Sequence, residues 1–147
     1  EYELVLGMHN RISYPLDLSG YENFAIDVSN YNDVSELFLI SDCLITDYSS
    51  VMFDYGILKR PQFFFAYDID KYDKGLRGFY MNYMEDLPGP IYTEPYGLAK
   101  ELKNLDKVQQ QYQEKIDAFY DRFCSVDNGK ASQYIGDLIH KDIKEQW

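Results

Sequence analysis

The stretch Ser41–Gly56, SDCLITDYSSVMFDYG, constrains the fold of this chain more than any other. Its apolar run from Cys43 to Ile45 reads as a buried strand. A polar corner follows, Thr46-Asp47-Tyr48-Ser49-Ser50. Val51, Met52, Phe53, Tyr55, Ile57 and Leu58 then read as an amphipathic helix. A strand that feeds a helix through a short serine corner leaves free backbone N–H groups and two hydroxyls at the helix start. Those orphan donors and the positive end of the helix dipole favour an anion, most often a phosphate. In an open α/β sheet such a corner lies at the carboxyl end of a strand, where ligands bind. An Asp or Ser before a helix is more often simply an N-cap, and spacing alone favours that reading.

Length and composition set the frame. A chain of 147 residues suffices for one domain with a real core. Aromatics make up 17% of it, with 15 Tyr and 9 Phe, which argues for a packed fold and against disorder. The net charge of -11 argues against general affinity for nucleic acid or for an anionic membrane surface, while leaving room for a local basic pocket. No apolar run approaches the roughly 20 residues that span a bilayer, and no signal peptide is visible. Cys43 and Cys124 sit in apolar segments. They read as buried thiols of a reducing compartment, not as a disulfide or a metal site. The first residue is not Met and a strand begins at once, so the sequence reads as a piece of a longer protein.

Strands and helices alternate along the first two thirds. Strands are predicted over Tyr2–Met8, Phe24–Val28 and Gln62–Tyr67, with a short helix from Val34 to Ile40 capped by Asp33. Arg60-Pro61 ends the helix that follows the serine corner. Residues 68–92 read as one long irregular segment holding Gly75, Arg77, Gly78 and Pro88-Gly89-Pro90. A helix opens at Pro95, with Leu98, Leu102 and Leu105 on its apolar side. A longer one runs from Val108 to Phe123. The last, from Ala131 to Lys144, uses Tyr134, Ile135, Leu138 and Ile139 as its apolar face. The alternation predicts an α/β fold with a parallel sheet, and a helical C-terminal third packed on it.

Five segments in order resemble the CDP-glycerol glycerophosphotransferase family, the teichoic acid polymerases and primases. They are LVLGMH ending at His9, the run from Glu22 to Tyr55, RPQFFFAYD from Arg60, RGFYMNYMEDLPGP from Arg77, and DNGKAS from Asp127. The resemblance covers nearly the whole chain. It implies a Rossmann-like parallel sheet with helices on both faces, the C-terminal, donor-binding lobe of a GT-B-type fold. Residues 1–147 would form that single lobe, and the family's further strand just upstream leaves open that the sheet is incomplete. The family's N-terminal lobe, with a second histidine, is not in this sequence. One departure is Gly7, where the family suggests a basic residue.

The implied reaction moves glycerol phosphate from CDP-glycerol to a hydroxyl at the end of a teichoic acid chain and releases CMP. Such transfers need positioning and neutralisation of phosphate charge more than covalent chemistry. His9, at a strand end, reads from the residues alone as a loop histidine. By the resemblance it aligns with the family's C-terminal-lobe histidine and is the expected catalytic group, donating to a phosphate oxygen or taking the acceptor proton. Ser49 and Ser50 are expected to hold the diphosphate, with Asp47 capping the helix or orienting a neighbour. Arg77, between two glycines, suits a bidentate phosphate contact, and a surface arginine is an equal reading. Lys130, at another helix start, is a weaker candidate for the same role. Glu85 and Asp86 read as a solvated acidic loop and His140 as solvated surface. No resident cofactor and no protein-bound metal are expected. The expected partners are CDP-glycerol, a lipid-linked teichoic acid acceptor and the upstream lobe. The expected location is the inner, cytoplasmic face of the cell membrane, as a peripheral protein. Two other readings compete: a GT-B transferase for a UDP-sugar, and a non-catalytic receiver-type domain phosphorylated at Asp47.

Overall fold

The structure is a computed structural model that describes residues 2–8, 17–69 and 81–145, with the side chain of residue 145 left aside. His9 and Arg77 lie outside the described residues. Contacts divide the chain into two units, Glu1–Leu37 and Phe38–Trp147.

In the first unit, β1 (Leu4–Leu6) and β2 (Ala25–Asp27) pair in parallel, with Leu4 opposite Ala25 and Leu6 opposite Asp27. Both are shorter than the apolar runs that predict them. Three Asp-x-Ser triads punctuate this unit. In each, the carboxylate of Asp17, Asp27 or Asp33 accepts from the backbone N–H and the hydroxyl of the serine two positions on. These bonds, the hydroxyl's first, hold all three carboxyls below their ordinary pKa. The third triad caps helix α1 (Val34–Ile40), since the amide of Ser35 lies 2.9 Å from Asp33 Oδ1.

The second unit is built on an all-parallel sheet in the order β3 (Leu44–Thr46), β4 (Gln62–Phe65), β5 (Ile91–Tyr92). The central strand β4 carries QFFF, with Gln62, Phe63 and Phe64 buried. A strand flanked on both edges and covered on both faces tolerates such a continuous apolar run. Helix α2 (Val51–Gly56) joins β3 to β4. It buries Met52, Tyr55 and Gly56, the i, i+3, i+4 face of a helix. It ends where Lys59 turns left-handed at φ 53°, two residues before Pro61. Arg60 then reaches back: its Nη1 donates to the carbonyls of Phe38 (3.3 Å), Leu39 (3.0 Å) and Ser41 (2.6 Å), closing the C-terminal end of α1.

The segment after β4 departs from the sequence reading. It contains a helical turn, α3 (Tyr83–Asp86), and the edge strand β5. Pro88, Gly89 and Pro90 are buried, and Phe64 donates to the Pro90 carbonyl at 2.9 Å. The two prolines mask a strand entry, because a residue without an N–H suits a sheet edge. Gly89 is required there: a Cβ on it would lie 1.8 Å from the Gln62 carbonyl oxygen.

Helix α4 (Pro95–Glu101) starts on Pro95 as predicted and passes through a 3-10 turn into α5 (Leu105–Phe119). Asn104 caps α5 through the Lys107 amide. The helix buries Val108, Ile116 and Phe119 and widens into a π turn at Tyr120–Cys124. That turn brings Phe123 against Phe53 of α2, with ring centroids 5.2 Å apart, while Phe119 stacks on Phe53 at 5.5 Å. The core is thus Met52, Phe64, Ala66, Tyr83, Leu87, Phe119 and Cys124. Burying a side chain such as Phe64 contributes about 2–3 kcal/mol. The expectation of a C-terminal third packed on the sheet holds for α5 and its π turn, whose Phe119 and Cys124 share the core with Phe64, and fails for the last helix, α6 (Ala131–Glu145). Its apolar stripe of Tyr134, Ile135, Leu138, Ile139 and Ile143 is exposed.

Candidate active site

The serine corner sits where the sequence puts it, at the carboxyl end of β3 and the start of α2. Ser50 is the N-cap of α2, in helical φ and ψ, and its side chain makes no cap bond. Asp47 is therefore not the cap. Its side chain is exposed, and its backbone carbonyl accepts from Tyr83 at 2.9 Å.

Asp47-Tyr48-Ser49 is a fourth Asp-x-Ser triad, and it behaves differently from the other three. Among the described residues, Ser49 Oγ does not donate to Asp47. It instead accepts a long bond, 3.4 Å, from the Val51 amide. Ser49 and Ser50 are both exposed. Two hydroxyl donors therefore face solvent at the corner, whereas the serines of the other triads spend theirs on a carboxylate. Two exposed donors beside the first amides of a helix can hold phosphate oxygens.

The corner is fixed from the side by aromatic residues that the sequence reading passed over. Tyr83, 2% exposed, sends its hydroxyl to the Asp47 carbonyl. Tyr48 donates to Asp68 Oδ1 at 2.9 Å, and its ring lies 5.4 Å from that of Tyr83. Burial first, and then the Asp68 carboxylate, push the Tyr48 phenol well above its ordinary pKa, so it stays a donor across the neutral range. The tyrosine beside the two serines was the available signal, but nothing in the sequence ties it to position 68 or 83.

Lys130 stands exposed just ahead of α6, where its amide donates to Asn128 Oδ1 at 3.0 Å, after Gly129 has turned left-handed at φ 76°. Ser49 and Ser50 share one corner; Lys130 belongs to a different helix start. Asp86 is not part of a solvated acidic loop. It accepts from the Asn82 amide at 3.0 Å and pairs with Arg122 at 2.8 Å, which fixes α3 to the π turn. Glu85 and His140 are exposed. Both cysteines are free thiols. Burial, then Asp42, pushes the Cys43 thiol up to about 11, and burial raises Cys124 as well. Among the described residues no cluster of three or more His, Cys, Asp or Glu is arranged to hold a metal, and no helix is long and apolar enough to cross a membrane.

Parallel strands and a βαβ unit whose serine corner opens to solvent at the strand end define an α/β lobe of the kind that binds ligands at its strand ends. Residues 1–141 match the family described as CDP-Glycerol:Poly(glycerophosphate) glycerophosphotransferase, and the chain belongs to that family. It is 94% identical over 146 residues to a teichoic acid poly(glycerol phosphate) polymerase of Staphylococcus epidermidis, covering 99% of this chain and 20% of that protein. The solved wall teichoic acid polymerase TagF superposes with a TM-score of 0.87 at 94% identity, over 99% of this chain and 36% of that one. A TagF variant soaked with CDPG gives 0.86 at 91% identity, with the same coverage. The chain thus spans about a fifth of the curated relative and about a third of the solved chain.

Proposed function

We propose that this chain is the donor-binding part of a glycerophosphotransferase. In the full-length protein it would present CDP-glycerol so that an acceptor hydroxyl attacks the phosphorus next to glycerol and CMP leaves. The observation that carries the reading is the family match across residues 1–141. The CDPG soak of a TagF variant, 91% identical over this region, supports the choice of donor. In this reading Ser49 and Ser50 hold the diphosphate, with Arg77 and Lys130 as the cations that neutralise it. His9 donates to a phosphate oxygen or takes the acceptor proton. The lobe is the C-terminal half of a GT-B-type enzyme. The acceptor is a lipid-linked teichoic acid chain, met at the inner face of the membrane by a peripheral protein.

The test is transfer by the full-length protein, with labelled CDP-glycerol and UDP-glucose offered in parallel and teichoic acid acceptor present. The reading predicts incorporation of glycerol phosphate with release of CMP, and none of the sugar. Turnover of UDP-glucose alone would overturn it in favour of a sugar transferase.

A further inference from the structure

At Ser49 the corner is held by long hydrogen bonds, while the Ser50 carbonyl accepts from the Phe53 amide at an ordinary 3.0 Å. The Ser50 side chain makes no cap bond, and the Val51 and Met52 amides lie 3.4 Å from their Ser49 acceptors. A loop with such long bonds would sample several conformations, only some with both hydroxyls on one side. Two tyrosines supply what the caps do not. Tyr83 is 2% exposed, its ring packs edge-on against Phe64 at 6.2 Å, and its hydroxyl meets the Asp47 carbonyl at the first turn of the corner. Tyr48, inside the corner, is tied to Asp68, just beyond β4. The two rings lie against each other. A phenylalanine would fill the same core space, so packing alone does not explain the hydroxyls.

We propose that Tyr83 and Tyr48, the latter anchored on Asp68, are positioning residues that hold the serine corner in its phosphate-binding conformation. This rests on the donor-binding reading above. The hydroxyls act through the Asp47 carbonyl and through Asp68. They raise the fraction of molecules in which Ser49 and Ser50 point together, and apparent affinity scales with that fraction.

The test uses the full-length protein carrying Tyr83→Phe or Tyr48→Phe, each losing one hydroxyl. Three quantities are measured: KM and kcat for CDP-glycerol, amide hydrogen exchange over residues 48–52, and the thermal midpoint. Loss of the neutral Tyr83 bond predicts a KM raised about five- to tenfold, and loss of the Tyr48 bond to a carboxylate a KM raised about tenfold or more, each with kcat within about threefold. Corner amides should exchange faster by a similar factor, with the thermal midpoint close to the parent's. A purely structural role would lower the midpoint and leave the KM-to-kcat split untouched. Unchanged KM together with unchanged corner exchange in both variants would overturn the proposal. Failure of both variants to fold would overturn it too, because the hydroxyls would then serve the core. If the parent protein does not use CDP-glycerol, the functional reading fails, while the exchange data still decide whether the tyrosines hold the corner.

Discussion

Three Asp-x-Ser triads share one geometry and the fourth, at residues 47–49, does not; that contrast is what marks Ser49 among the serines of this chain. An exposed hydroxyl that, among the described residues, donates to no carboxylate contributes little to the core. Ser50→Ala in the full-length protein is therefore expected to weaken CDP-glycerol binding about tenfold while leaving the thermal midpoint within about 1 °C. Equal titration isotherms for variant and parent would remove Ser50 from the account. Gly89 makes the opposite case, a residue that matters to the fold alone. With a Cβ placed 1.8 Å from the Gln62 oxygen, β5 must move away from β4. Gly89→Ala should cost about 3 kcal/mol or more, read as a thermal midpoint lowered by roughly 6 °C.

The Lys59–Asp117 pair gives a pH prediction. The bond from Lys59, then one from Gln113, holds the Asp117 carboxyl below its ordinary 3.8, and the Asp117 bond raises Lys59 above 10.5. The carboxylate's contribution is thus complete above its unfolded pKa and lost as pH falls through the lowered folded value. The ammonium's contribution is complete below 10.5 and lost only as pH rises past the raised value. Denaturation midpoints of the parent and Asp117→Asn should therefore differ at neutral pH and converge in acid. Curves that stay parallel down to about pH 2 would contradict this.

Among the elements, those with a strong apolar period were legible and those defined by hydrogen bonding were not. QFFFAY announced the buried strand β4, and the run of Val51, Met52, Phe53, Tyr55, Ile57 and Leu58 announced α2. Pro95 opened its helix because its fixed φ suits a first turn. β5 escaped because it is only Ile91–Tyr92 and follows Pro88-Gly89-Pro90, whose composition reads as a loop. Of the candidate site, the strand–corner–helix placement of Ser49 and Ser50 was legible. The partners of Tyr48 and Tyr83 were not, since pairings across 20 and 36 positions leave no local trace. Arg60 was read only as a helix stop, yet it closes the end of α1 through three carbonyls. All three bonds leave one nitrogen, so what matters there is a cation within reach of the carbonyls. Arg60→Ala should cost about 2 kcal/mol in a denaturant titration, where an ordinary surface exchange costs almost nothing. Helix α6 was legible as a helix, but its apolar period gave no warning that the stripe would stand exposed. Ile135→Lys should therefore leave the midpoint of this chain within about 1 °C. A fall of the size seen on emptying a core position would show that the stripe is covered.

On the scale of the whole molecule, the chain matches its family over residues 1–141 but spans about a fifth of the curated polymerase it resembles. Phosphoryl transfer needs donor, acceptor and base held together, and the donor site is only one part of that arrangement. The 147-residue chain by itself is expected to form no polymer from CDP-glycerol, and polymer synthesis by it alone would contradict that expectation. The central claim is that the diphosphate of the donor rests on the corner between β3 and α2. A crystal structure of the full-length protein with CDP-glycerol bound tests it most directly. The account predicts phosphate oxygens within about 3 Å of the Ser49 or Ser50 hydroxyl and of the first α2 amides. A diphosphate bound elsewhere, with the corner filled only by solvent, would contradict it.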